Sequence, residues 1–187
     1  MLQQAITPAA TSAHRPIRLT VMQGQARVSG DERVEFTTVL GSCIACCLFD
    51  ASVNVGGMNH FLLAEPQAGR GGIDENYGVY LMEVLINEML AYGASRLSLR
   101  AHLYGGANMY RGMKRIGTAN AEFAKAFLER ERIPLANASL GGNSARRVDF
   151  RPFRGQARCR IVDEPANAPI EPILLQAMPA HGDVELF

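Results

Sequence analysis

Cys43 and His60 are the two residues whose types and spacing could do chemistry together. Cys43 closes the run Thr37-Thr38-Val39-Leu40-Gly41-Ser42-Cys43, and His60 closes Gly56-Gly57-Met58-Asn59-His60. Between them, Ile44 to Asp50 and Val55 to Leu63 read as two strands joined by a short turn. With Asp50 opposite Val55, Ala45 falls opposite His60 and Cys43 opposite Leu62. Cys43 and His60 then share one face as diagonal neighbours, with backbones roughly 7 to 8 Å apart. A slip of one residue would put them on opposite faces.

The chemistry of such a pair is nucleophilic. A thiol with an ordinary pKa of about 8.5 is mostly protonated at neutral pH, and an adjacent imidazole can take its proton and later return one to a leaving amine. The small Gly41-Ser42 lead-in leaves room for a substrate carbonyl and for backbone N–H groups aimed at an oxyanion. Ser42 and Asn59 are accordingly expected to face substrate, and Thr37, Thr38 or Asn59 could orient the imidazole. Buried free cysteine is the commoner fate of a lone thiol, and it is the one expected for Cys46, Cys47 and Cys159. The Cys43-x-x-Cys46 spacing argues little for metal or redox work, because positions i and i+3 of a strand point to opposite faces and no second ligand pair follows. No cofactor or metal is expected. Gly105-Gly106-Ala107-Asn108-Met109 lacks the signature of a phosphate loop and reads as a structural turn beside the site. His102 is expected to be packed, and His14 and His181 to lie in loose ends.

These residues need a scaffold, and the sequence outlines one. Helical spacing runs from Tyr77 to Tyr92 through Tyr77, Leu81, Val84, Leu85 and Met89, with Gly93 as the residue that ends it. A second helix is expected from Thr118, as N-cap, to about Arg132, carrying Asn120, Phe123, Phe127 and Arg130 on one side before Pro134. Strands are expected at Ile17 to Gln23, Val34 to Leu40, Ile44 to Asp50, Val55 to Leu63, Leu97 to Tyr104, Leu135 to Leu140, Arg147 to Phe150 and Ala157 to Val162. Strands that cluster first, with helices interrupting later, predict an α+β layered domain with helices on a mostly antiparallel sheet.

With 187 residues, 48% of them hydrophobic, the chain can bury one core of normal size. Residues 1–15 are expected to be a loose arm, 16–163 the folded domain, and 164–187 a proline-containing tail. Nineteen basic residues against eighteen acidic ones give no global field for nucleic acid or anionic membrane. The longest apolar run, Cys43 to Phe49, falls far short of the roughly 20 residues of a spanning helix. With no export signal read and three of four cysteines crowded into five residues, a cytoplasmic protein with reduced thiols is expected.

Taken together, the Thr37 to Asp50 run, Gly56 to Leu63, Tyr77-Gly78-Val79-Tyr80, Gly105 to Met109, Ile116-Gly117 with Asn120, and Leu140-Gly141-Gly142-Asn143 followed by Arg146-Arg147-Val148 closely resemble the CheD family of bacterial chemotaxis. The resemblance covers about four-fifths of the chain. It implies a layered α/β sandwich and a cysteine hydrolase that converts glutamines on the cytoplasmic helices of chemoreceptors to glutamates, releasing ammonia. It implies Cys43 as nucleophile, His60 as general base and Thr37, six residues before the cysteine, as the group that orients the imidazole. Some members also bind the phosphatase CheC, so a CheC-like partner is an implied second contact. The rival reading is a non-catalytic adaptor that docks on receptors or on a CheC-like phosphatase. Thr118-Ala119 and Phe153-Arg154-Gly155 depart from the family pattern without touching these three residues.

Overall fold

Ile44 to Phe49 contains no charged residue, and a strand of that composition must be covered on both faces. That is how it folds in the structure, a computed structural model that describes residues 15–63, 76–109 and 116–162. The elements in chain order are β1 (Ile17–Thr20), β2 (Gln25–Ser29), β3 (Val34–Leu40), β4 (Ile44–Asp50), β5 (Val55–His60), α1 (Asn76–Ala91), β6 (Arg100–Gly105), α2 (Ile116–Arg130), β7 (Leu135–Leu140), β8 (Ala145–Arg151), a 3-10 turn at Pro152–Arg154 and β9 (Gln156–Val162). One sheet has the order β1-β3-β8-β9 and the other β2-β5-β4-β6-β7.

Within β4, Ile44, Cys46 and Leu48 pack with Leu81, Leu85, Phe123 and Phe127 of the two helices. Ala45 and Cys47 face the other way, against Phe36 and Leu40 of β3 and Val148 and Phe150 of β8. The layers are therefore helices, five-stranded sheet, four-stranded sheet, with one apolar core on each side of β4. The expected α+β class holds, and pairing is mostly antiparallel, only β1 with β3 and β6 with β7 being parallel. The single sheet expected is in fact two. Period-two patterning shows that a strand has an inner face, and it cannot show which sheet that face belongs to.

The strand bounds of β3, β4 and β7 fall where they were expected. The sequence reading passed over β2, an edge strand whose residues Gln-Ala-Arg-Val-Ser carry little apolar signal and which pairs with β5 from Gln25 opposite His60 to Ser29 opposite Gly56. Helix α1 buries Gly78, Leu81, Met82, Leu85, Ile86 and Met89. This stripe is turned slightly from the expected one, leaving Tyr77 at 41% exposure. Gly93 ends α1 as expected, with φ +92°. Its N–H donates to Leu90 O and that of Ala94 to Met89 O, the paired bonds of a Schellman motif.

Helix α2 begins two residues before Thr118, so Thr118 is not its N-cap. Its hydroxyl instead accepts from Asn108 Nδ2 at 2.9 Å. The C-terminal stop repeats the α1 motif with Arg132 at φ +56° in the glycine position, and Ile133, buried, donates to Leu128 O. Among the described residues no helix is long and apolar enough to cross a membrane. The expected arm and tail, with His14 and His181, lie outside the described residues apart from Arg15.

Candidate active site

Register is the first thing that brings Cys43 and His60 together. Asp50 pairs with Val55 and Cys47 with Met58, and an isolated bridge between Ile44 and Phe61 continues the same register. Ala45 is thus opposite His60 and Cys43 opposite Leu62, which is the alignment expected from the sequence. Cys43 packs on the core between the two sheets, whereas Cys46, three residues on, faces the helices. The two thiols of the Cys-x-x-Cys spacing point apart.

The bend that carries Cys43 is held by each of its carbonyls. Gly41 O accepts from Ala107 N at 2.9 Å and Cys43 O from Gly106 N at 2.8 Å. Ser42 O accepts from Asn120 Nδ2 at 2.9 Å, and Asn120 Oδ1 accepts from Leu63 N at 2.8 Å. One fully buried amide of α2 therefore ties the bend before Cys43 to the strand end after His60. Gly105 has φ +111°, and a Cβ there would stand 2.0 Å from Cys43 O. Only glycine lets the 105–108 turn approach this closely, which gives that turn its structural role beside the site.

His60 is 7% exposed. Its Nδ1 lies 3.0 Å from Thr38 Oγ1 and 3.3 Å from Val21 O, while Thr38 Oγ1 donates to Val21 O at 2.9 Å. The hydroxyl proton is committed to the carbonyl, and a carbonyl can only accept, so both contacts require a proton on Nδ1. Nε2 is then the nitrogen with the lone pair. It is buried without a hydrogen-bond partner among the described residues. A base with its proton-accepting atom fixed and unsatisfied, on the face shared with a thiol, is the arrangement needed for general-base activation of that thiol.

Burial sets the resting charges. It pushes the Cys43 thiol up to about 11, against a smaller lowering by its own backbone N–H. It also pulls His60 below the ordinary imidazole value, opposed by the Val21 carbonyl. The pair therefore rests as neutral thiol and neutral imidazole at pH 7.

The sequence was compared with known proteins. The family model described as CheD chemotactic sensory transduction matches residues 62–161. The chain is 53% identical over 173 residues to a Zymomonas mobilis protein named "Probable chemoreceptor glutamine deamidase CheD", covering 91% of this chain and 92% of that one. A protein of the same name from Acidiphilium cryptum is 46% identical over 190 residues, 97% of this chain and 100% of that one. Another from Caulobacter vibrioides is 47% identical over 179 residues, 92% and 95% of the two chains. The chain belongs to the CheD family.

Two side chains in this site, Thr37 and Asn59, differ from expectation. Thr37, to which the resemblance gives the orienting role, turns to the outer face of the four-stranded sheet and donates to Asp149 Oδ1 at 2.8 Å. Its neighbour Thr38 is the threonine at His60, because alternate residues of a strand point to opposite faces and the odd ones of β3 point outward. Asn59, expected at substrate, is fully buried on the helix side. Its Oδ1 accepts from Cys46 N at 3.0 Å and its Nδ2 donates to Leu81 O at 3.1 Å, so it ties α1 to the sheet. Ser42 stays at the bend, where its carbonyl is used by Asn120.

The β1–β2 connection supplies what the sequence reading missed. Val21 provides the carbonyl shared by Thr38 and His60, and Gln23 Oε1 accepts from Cys43 Sγ at 3.4 Å. A backbone carbonyl leaves no trace in residue type, and an exposed glutamine in a turn has no pattern to mark it. His102 is packed as expected, stacked on Phe49 with ring centroids 4.9 Å apart and its Nε2 donating to Gly155 O at 2.9 Å.

Proposed function

We propose that this protein is a chemoreceptor glutamine deamidase working through Cys43, with His60 as its base. The observation that carries this reading is the His60 imidazole, whose Nδ1–H is held by Thr38 and Val21 while Nε2, on the face it shares with Cys43, is buried without a partner among the described residues. The names of the CheD relatives, at 46 to 53% identity over most of the chain, supply the substrate class.

His60 Nε2 takes the Cys43 proton as the sulfur attacks the side-chain carboxamide carbon of a receptor glutamine. Backbone N–H groups beside Cys43 hold the oxyanion. Collapse expels the amide nitrogen as ammonia, protonated by His60, and leaves a thioester. Water, deprotonated by the same imidazole, releases glutamate and restores the thiol. The sum is one carboxamide and one water giving one carboxylate and one ammonium, with no cofactor. Thr38 is the positioning residue, and Ser42 shapes the approach to the sulfur. Each turnover adds one negative charge to a cytoplasmic receptor helix, and a CheC-like phosphatase is a second partner to test for binding.

The deciding experiment is the intact mass of a chemoreceptor cytoplasmic fragment co-expressed with this protein or with Cys43→Ala. A gain of about one dalton per converted glutamine, seen only with the intact thiol, is expected for this chemistry. An unchanged mass with the intact protein and a receptor from the same cell would leave the adaptor reading.

A further inference from the structure

Among the described residues, the side chain hydrogen-bonded to the Cys43 thiol carries the same functional group as the proposed substrate. Gln23 ends in a primary carboxamide, and its Oε1 lies 3.4 Å from Cys43 Sγ, within hydrogen-bond range of sulfur. An amide oxygen can only accept, so the thiol donates. We propose that Gln23 is a built-in substrate mimic, whose carboxamide occupies the position of the incoming glutamine in the free protein and is displaced when substrate binds. This inference rests on the deamidase reading above and names what fills its site at rest.

The turn that carries Gln23 is anchored by its neighbours' backbone bonds. Gln25 N–H closes a turn onto Met22 O at 3.0 Å, and Gly24 N–H donates to His60 O at 2.8 Å. One residue before the turn, Val21 O fixes Thr38 and His60. The side chain by contrast is exposed, and among the described residues its carboxamide is held by the one hydrogen bond from the thiol. The arrangement therefore brings an amide to the sulfur on a rigid support and leaves it free to swing away at the cost of one weak bond.

The capped state is also unproductive. The thiol proton points to Gln23 Oε1, while His60 Nε2, the atom that must receive it, has no partner among the described residues. With the proton held between sulfur and amide oxygen, the sulfur is no nucleophile toward Gln23, so the mimic persists as glutamine. Removing it lets the thiol turn to the imidazole. A site that is open only part of the time binds substrate with an apparent constant weakened by the open fraction, and turnover at saturation is untouched.

Two readouts test this. Alkylation of Cys43 by iodoacetamide, itself a carboxamide, is expected to be roughly two- to tenfold faster in Gln23→Ala than in the parent, the span of one modest hydrogen bond. The KM for a receptor fragment is expected to fall by a similar factor with kcat held. Gln23→Glu keeps an acceptor of the same length and is expected to alkylate no faster than the parent. An alkylation rate unchanged in Gln23→Ala, or a KM that rises, would make Gln23 a bystander or a substrate-holding residue and overturn the proposal, as would Gln23→Glu behaving like Gln23→Ala. Faster alkylation in Gln23→Ala with no receptor glutamine converted by either protein would support the cap and remove the deamidase reading.

Discussion

Strand β3 presents the same residue type on its two faces, and the two threonines do different work. On the outer face Thr37 donates to Asp149, which also pairs with Arg18 at 2.6 Å and Arg160 at 2.8 Å. Burial alone would raise that carboxyl, but the bonds from Thr37 and Arg160 and the charge of Arg18 outweigh it and hold Asp149 below its ordinary value. Both carboxylate oxygens of this network are paired. On the inner face Thr38 and Val21 satisfy one nitrogen of His60, and the other is buried without a partner among the described residues. A closed network stabilises a fold, whereas an unsatisfied buried atom has to be compensated elsewhere and is worth the cost where it does chemistry.

An orphaned nitrogen is not sufficient by itself. His102 Nδ1 is also buried and without a partner among the described residues, yet its ring is enclosed by Phe49, Tyr104 and Phe150. His102 also faces a thiol, its cross-strand partner Cys47, but that sulfur is fully buried, whereas Cys43 on the face of His60 is half-buried.

The sharpest break of this comparison is Cys43→Ala, which is expected to abolish conversion of receptor glutamines in a mass assay while leaving thermal stability nearly unchanged. Next comes His60→Ala, with an expected loss of roughly 10² to 10⁴ in rate; a rate equal to the parent's would take the inner face out of the mechanism. The threonines then separate the faces. Thr38→Val is expected to lower kcat on the order of tenfold by releasing the imidazole, whereas Thr37→Val is expected to leave kcat within about twofold and to cost about 1 kcal/mol of stability in urea unfolding. The reverse ranking would return the orienting role to Thr37.

Two pH measurements give smaller effects. Because burial lowers His60, the base is already unprotonated at pH 7, so kcat/KM should be flat from pH 8 to 7 and fall only below the ordinary imidazole range of about 6.5. Asp149 acts in the opposite region. Its folded value is depressed, so its contribution is present above the unfolded value of about 3.9 and is lost as pH falls through the folded one. Asp149→Asn should therefore lose less stability than the parent below about pH 4, in acid unfolding followed by circular dichroism.

Much of this was legible in the residues. The continuous apolar run of Ile44 to Phe49 marks a strand buried on both sides, and the turn at Asp50 and Val55 sets a register that carries Cys43 and His60 to one face. Gly93 marks the end of α1 because a left-handed residue is needed there. Local periodicity and turn chemistry act over a few residues, and these features need nothing more.

The threonine that meets His60, the helix-side position of Asn59 and the approach of Gln23 were decided by tertiary structure. Between Thr38 and Cys43 the chain leaves the four-stranded sheet at Leu40 and enters the five-stranded one at Ile44. Counting back from the cysteine cannot carry a face across that bend, because strand alternation holds only within one sheet. Gln23 reaches Cys43 from 20 residues away because β2 pairs with β5 and draws the turn before it onto His60. The sequence by itself determined the reactive types and the hairpin that aligns two of them; which neighbours hold and cap them follows from how two sheets close on each other, a long-range packing that no short spacing encodes.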